Sequence, residues 1–261
     1  MKQIQSRDNP FFKELVKLTG SARQRGKSNQ TLLDGAHLLA AYLDAGMMPL
    51  HILLNAAALR DEEIDALFGR LNDVPVTQLD DKLFAELSEL KTPTGILALI
   101  ALPQSDRPVA ASRFALLLED IRDPGNLGSM LRTAAAAGCD AVFLSSGCAD
   151  AWSPRVLRGA MGGHFALHIH EQQDLAGVIQ VFDGALLAAS LHATHSLYDC
   201  DLRGKVAFLI GNEGAGLSIG LQSLATQTIT IPMPGKVESL NAAAATAICL
   251  FEVVRQRSAR T

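Results

Sequence analysis

A chain of 261 residues, 48% of them hydrophobic, can bury a substantial core and is long enough for one domain or two. A formal charge of -4 gives no global signal of a nucleic-acid partner, and the widely separated Cys139, Cys148, Cys200 and Cys249 suggest neither a zinc knuckle nor a disulfide framework. No apolar run approaches the roughly 18 residues of a membrane span, so the chain is expected to be cytoplasmic, with its cysteines acting as small hydrophobes. Charge is uneven along the chain. Lys2, Arg7, Lys13, Lys17, Arg23, Arg25 and Lys27 at one end, and Arg255, Arg257 and Arg260 at the other, suit either a polyanionic partner or solvated termini.

In chain order, Pro10–Leu18 reads as an amphipathic helix and Gly20–Gln30 as a polar, basic connector. Thr31–Leu33, His51–Asn55, Val74–Leu79 and Gly95–Leu102 read as strands. Between them, Gly35 to Ala45, Glu62–Gly69 and Asp80–Leu87 read as helices, and this alternation predicts a compact α/β unit. The breaker-rich segment Pro103-Gln-Ser-Asp-Arg-Pro108 marks a boundary, giving domains over residues 1–105 and 106–261.

The second domain opens on Phe114–Leu118, an apolar run suited to a fully buried strand. A glycine turn at Gly125–Gly128 and a helix over Ser129–Ala137, closed by Gly138, follow. Strands are expected at Ala141–Leu144, Ala166–His170, Gly184–Ser190 and Val206–Ile210, with helices at Pro154–Gly159, Asp174–Phe182 and Ala242–Gln256. Ile229–Met233 repeats the strand-then-loop pattern, and Pro232, Pro234 and Gly235 forbid its ordinary continuation. Two interrupted strand ends would then lie close together, at the carboxyl edge of a sheet where open α/β folds bind ligands.

Several residues there could do chemistry, and each has a plainer explanation. The glycine turn could expose N–H groups to an anion with Asn126 as the N-cap, but it lacks the dinucleotide fingerprint. Gly128 and Arg132 share a helix face, where Arg132 is either poised beside a partner or simply solvated. Ser239 and Asn241 fit N-capping of the last helix, and Glu213 and Lys236 fit solvated loop charges. His168 and His170 share a strand face, and His192 and His195 lie in a loop. No third ligand can be placed beside either pair, so no metal is expected.

Taken together, these segments resemble the SpoU/TrmH family of RNA ribose 2′-O-methyltransferases in the knotted SPOUT superfamily. The motifs are Asn126-x-Gly128-x-x-x-Arg132-x-Ala-Ala-x-x-Gly138, Ile210-Gly-Asn-Glu-Gly214, and Ile231-Pro-Met233 through Ser239-Leu-Asn241, and Trp152-Ser-Pro-Arg-Val-Leu-Arg158 adds a fourth segment. Leu33-Asp-Gly35 and Lys91-Thr-Pro-Thr-Gly95 resemble the small ribosomal-protein-like substrate-binding domain that precedes such catalytic domains, with Asp34 where a glutamate is common.

The resemblance implies an α/β trefoil-knot domain that binds S-adenosylmethionine through Gly211, Ile231 and Leu240, with Met233 and Ser190 beside them. It implies a homodimer packed through helices such as Ser129–Ala137 and Ala242–Gln256. Arg132 is assigned to the reacting 2′-hydroxyl, with Asn126, Glu213, Ser239 and Asn241 around it. The implied substrate is structured RNA, ribosomal RNA ahead of tRNA. A non-catalytic RNA-binding protein of the same fold is the other reading, and a Rossmann oxidoreductase is disfavoured by the missing fingerprint.

Overall fold

The computed structural model describes residues 2–58, 61–90, 92–105 and 107–258. Lys91 of the Lys91–Gly95 segment, Asp106 of the expected boundary and Arg260 of the basic C-terminus lie outside the described residues. The chain divides into two compact units, one comprising Met1–Gln104 with Trp152–Phe165, the other Ser105–Ala151 with Ala166–Thr261.

The first unit is built on a five-stranded sheet ordered β1(Lys2–Ile4), β4(Val76–Leu79), β3(His51–Leu54), β5(Ile96–Ala101), β2(Gln30–Asp34). β1, β4 and β3 run parallel, and β5 is antiparallel to both β3 and β2. Helix α1 (Pro10–Gly20) starts where Asn9 accepts the N–H groups of Phe11 and Phe12. Its Phe12, Leu15 and Leu18 pack with Leu32, Leu53 and Leu97 of the sheet. The expected polar connector contains a helix, α2 (Ala22–Ser28), started by Ser21 and ended by left-handed Asn29. Arg25 makes this possible. Its buried guanidinium donates to the carbonyls of Leu18 and Thr19, satisfying the end of α1 with a charged group that periodicity alone treats as solvated. Helices α3 (Ala36–Asp44), α4 (Glu62–Phe68) and α5 (Asp81–Leu87) complete the unit near their expected positions.

The segment Trp152–Phe165 groups with this unit, although the sequence places it inside the second domain. Thr31 Oγ1 donates to the Trp152 carbonyl at 2.9 Å in a buried bond. The Tyr42 and Phe165 rings meet edge-on at 5.1 Å. Helix α7 (Pro154–Ala160) buries Val156, Leu157 and Ala160.

The second unit carries a six-stranded, wholly parallel sheet ordered β11(Gln227–Ile229), β9(Ala185–Ala189), β10(Val206–Ile210), β6(Phe114–Leu118), β7(Ala141–Leu144), β8(His168–His170). β6, β7 and β10 are buried at every position, as strands covered on both faces require. Helix α8 (Leu175–Val181) precedes β9. A further helix, α9 (Ile219–Leu224), occupies the interval before β11 that the sequence leaves unassigned. β11 ends at Ile229 and Thr230 makes an isolated parallel bridge to Ser196, so the expected strand Ile229–Met233 is instead irregular chain from Ile231 onward. Pro232 and Pro234 account for this, since neither can donate to a ladder.

Helix α10 (Ala242–Ser258) returns to pack along α6 (Pro124–Ala137). The connection from β9 to β10 clasps this outgoing chain at two places. Thr230 exchanges backbone hydrogen bonds with His195 and Leu197, and Gln256 bonds Leu202 N–H and the Cys200 carbonyl.

Candidate active site

Helix α6 begins earlier than its sequence suggests. Asp123 is the N-cap, accepting the Asn126 N–H at 2.8 Å, and Pro124 occupies the first turn. The expected glycine turn Gly125–Gly128 is therefore helical, and Asn126 is not the cap. Its side chain is free for other work. Gly138, at φ +77°, closes the helix as expected.

The Asn126 amide joins two distant loops. It donates to Glu213 Oε1 at 3.0 Å and accepts from Asn241 Nδ2 at 3.0 Å. Asn241 in turn caps α10, accepting from Ala243 and Ala244 N–H at 2.9 and 3.2 Å. The expected capping holds, and the same side chain does more: its oxygen caps while its amide nitrogen reaches across to Asn126. Asn126, Glu213 and Asn241, spread over 115 positions of the chain, thus form one hydrogen-bonded chain.

The loop after β10 is shaped by Asn212, which the sequence reading passes over. Its Oδ1 accepts the N–H groups of Gly214 and Ala215, its Nδ2 donates to the Asp120 carbonyl, and its own carbonyl accepts from Gly216 N–H. Asn two residues ahead of Gly is the recognisable signal of such a side-chain turn. Gly211 is needed by the loop itself: a Cβ there would lie 2.2 Å from Leu217 N. Gly216 turns with φ +69°.

At the carboxyl ends of β9, β10 and β11 this loop borders a cleft of about 320 Å³. Ser190, Gly211, Ile231, Met233 and Leu240, the five expected cofactor residues, all line it, as do Glu213 and Ser239. Among the described residues, the backbone groups of Gly211, Ile231, Met233 and Leu240 make no hydrogen bond within the chain. A cleft of this size, rimmed by unpaired N–H and C=O groups at strand ends, fits the edge of a heterocyclic cofactor such as an adenosyl group. Leu191 and Gln222, which the sequence did not single out, also line the cleft, as does His192, expected only as a loop histidine. Gln222 sits on the unassigned helix α9, so no local pattern marked it.

Arg132 stands apart. It is exposed on α6, one turn after buried Gly128, and among the described residues it has no hydrogen bond or ion pair and lines no part of the cleft. Lys236 is likewise exposed. Away from the cleft, the Ser105 hydroxyl bridges His168 Nδ1 and His170 Nε2 at 3.1 and 3.2 Å. Burial, with His168 alongside, holds His170 below the ordinary imidazole range. Among the described residues no three His, Cys, Asp or Glu side chains gather closely enough to hold a metal ion.

Residues 113–251 match the family model for the SpoU rRNA methylase family. The chain belongs to the SpoU rRNA methylase family. Residues 9–98 match an MRM3-like substrate binding domain, which agrees with the small α/β unit that precedes the SpoU part. Among the SpoU methylase relatives, the 23S rRNA (guanosine(2553)-2'-O)-methyltransferase RlmP of Bacillus subtilis is 31% identical, over 97% of this chain and 99% of its own length. An uncharacterized tRNA/rRNA methyltransferase of Synechocystis is 34% identical over 97% of this chain and 94% of its own. The SpoU methyltransferase AviRb from Streptomyces viridochromogenes, solved in complex with AdoMet, superposes with a TM-score of 0.86 at 27% identity, covering 96% of this chain and 98% of that one. The fold class is the knotted α/β methyltransferase class of these SpoU relatives, as the motifs imply.

Proposed function

We propose that this protein is an S-adenosylmethionine-dependent RNA methyltransferase that modifies a ribose 2′-hydroxyl of ribosomal RNA. The observation that carries this is the cleft of unpaired backbone groups at the ends of β9, β10 and β11, set beside the Asn126–Glu213–Asn241 chain. The names of the relatives RlmP and AviRb, a 2'-O-methyltransferase of 23S rRNA and an AdoMet-binding SpoU methyltransferase, support the same substrate and cofactor. When bound, the cofactor supplies an electrophilic methyl group on a sulfonium.

The protein's own part is positioning. Gly211, Ile231 and Leu240 offer backbone groups to a purine edge, while Ser190 and Met233 wall the cleft. Asn126, Glu213, Asn241 and Ser239 order its mouth, where alignment of a hydroxyl with the methyl group can be worth roughly 7–11 kcal/mol. Arg132 is assigned to stabilise the developing alkoxide or to hold a neighbouring phosphate. As a general base its neutral form would cost about 7–9 kcal/mol at neutral pH, so that role is the weaker one.

The first unit is assigned to RNA binding, in line with its substrate-binding family match. The protein is taken to act as a cytoplasmic homodimer. Among the described residues no helix is long and apolar enough to cross a membrane, and Phe251 on α10 is 46% exposed, a large apolar side chain available to a second copy. A single-chain mass by equilibrium sedimentation would remove the dimer.

The decisive test is Arg132→Ala. Methyl transfer to rRNA should fall by at least about 10²-fold, while calorimetric binding of S-adenosylmethionine stays near that of the parent protein. Retained turnover would take Arg132 out of the mechanism, and absent cofactor binding by the parent would favour a non-catalytic RNA-binding protein.

A further inference from the structure

The proposed reaction makes no use of helix α7, yet α7 carries two arginines on the outside of the first unit. Its inner face, Val156, Leu157 and Ala160, is buried, and Arg155 and Arg158 are exposed. At i and i+3 they lie on one helix face, roughly 5–6 Å apart at Cβ. Among the described residues neither has a hydrogen bond or an ion pair.

Four other cations of the same unit are paired. Arg7 pairs with Glu86, Lys13 with Asp8, Lys17 with Glu14 and Arg70 with Asp44. Arg158 lies near enough to Asp34 for its field to reach that carboxyl, but Asp34 bonds the Ser88 hydroxyl at 2.6 Å instead. Helix α2, whose Arg23 and Lys27 are also exposed and unpaired, packs on the same edge strand β2 as α7.

The helix is held firmly. Ser153 caps its start, and Thr31 fixes the preceding carbonyl. Met161 and Gly162 turn its end through positive φ values of 49° and 87°. A Cβ on Gly162 would lie 2.6 Å from Ala41 Cβ, so the exit is packed tightly against α3. A paired surface cation brings little net charge to a partner, whereas an unpaired guanidinium on a fixed helix can replace the counterions of a polyanion.

We propose that Arg155 and Arg158 of α7 form a phosphate-contacting face of the first unit that grips the backbone of the RNA substrate. This rests on the RNA-modifying reading above. It makes the segment between β7 and β8 a substrate-binding element, although its sequence neighbours belong to the methylase unit.

The test is titration of the full chain with deproteinised 23S rRNA at a series of salt concentrations, alongside calorimetry with S-adenosylmethionine. Arg155→Ala with Arg158→Ala should weaken rRNA binding by roughly tenfold or more near 0.1 M salt, and should flatten the log K against log salt slope by about 1.5–2. Arg155→Lys with Arg158→Lys should keep the slope, and Arg70→Ala, which removes a paired cation, should change neither quantity. Cofactor affinity should be constant throughout, which reports an intact fold. An unchanged slope in the double alanine variant, or an equal loss in Arg70→Ala, overturns the assignment. A parent protein that takes the cofactor but binds no rRNA at any salt would instead remove the RNA reading itself, and this face with it.

Discussion

Gly95 and Gly211 sit at comparable places, one just before a strand of the first unit and one just after a strand of the second. In each, an added methyl would collide with the chain, 2.9 Å from Asn55 Oδ1 at Gly95 and 2.2 Å from Leu217 N at Gly211. Around Gly95 the polar groups are closed among themselves. Asn55 Oδ1 accepts from Ala57 and Ala58, Asn55 N–H bonds the Gly95 carbonyl, and Gly35 N–H bonds the Ile96 carbonyl. Around Gly211, among the described residues, the backbone of Ile231, Met233 and Leu240 makes no hydrogen bond, and Pro232 and Pro234 flank Met233. Glycine crowding at a strand end therefore reports tight backbone packing. Unpaired backbone nearby is what makes a binding site.

The contrast can be broken most directly at Gly211. Gly211→Ala should displace the Asn212–Leu217 loop and cost roughly 10²-fold in turnover through misplacement of the site. Cofactor affinity should fall with it, while the thermal midpoint moves little by comparison. Gly95→Ala should do the reverse. At φ +95° it forces a side chain into a left-handed conformation, costing about 1–3 kcal/mol of stability, with cofactor affinity in calorimetry unchanged. If both variants lost cofactor binding equally, the distinction between a closed and an open strand end would be wrong.

A smaller effect should separate the units by pH. Burial raises the Asp34 carboxyl above its ordinary range, outweighing the Ser88 hydrogen bond. Its folded value exceeds its unfolded value, so its contribution to stability is complete below the unfolded pKa and is lost as pH rises through the folded one. Measured between about pH 4 and 7, the thermal midpoint of the parent should therefore decline relative to Asp34→Asn as pH rises. A constant difference between the two would show that Asp34 does not titrate with folding. Cofactor binding should be indifferent to this substitution.

Much of the molecule was legible before its structure. Alternating apolar runs and breakers located the central strands of both sheets, because continuous burial leaves an unbroken hydrophobic signature such as Phe114–Leu118 and Val206–Ile210. Helix α2 was not legible, since it is held by a buried arginine that bonds the carbonyls ending α1, where charge alone reads as solvated. Helix α9 was missed because its short sequence mixes exposed Ile219 with polar residues. The start of α6 was misplaced because glycines at 125 and 128 mimic a turn, while Asp123 and Pro124 supply stronger start signals.

By itself, the sequence determined which residues could form interrupted strand ends and which motifs stood in order along the chain, because glycine, proline and short apolar runs act locally on the backbone. Only the tertiary structure decided that Asn126, Glu213 and Asn241 touch, that Arg132 stays clear of the cleft, and that residues 152–165 pack with the first unit. Those outcomes depend on bonds between residues many positions apart, and no local preference encodes a partner that the folding chain has yet to bring near.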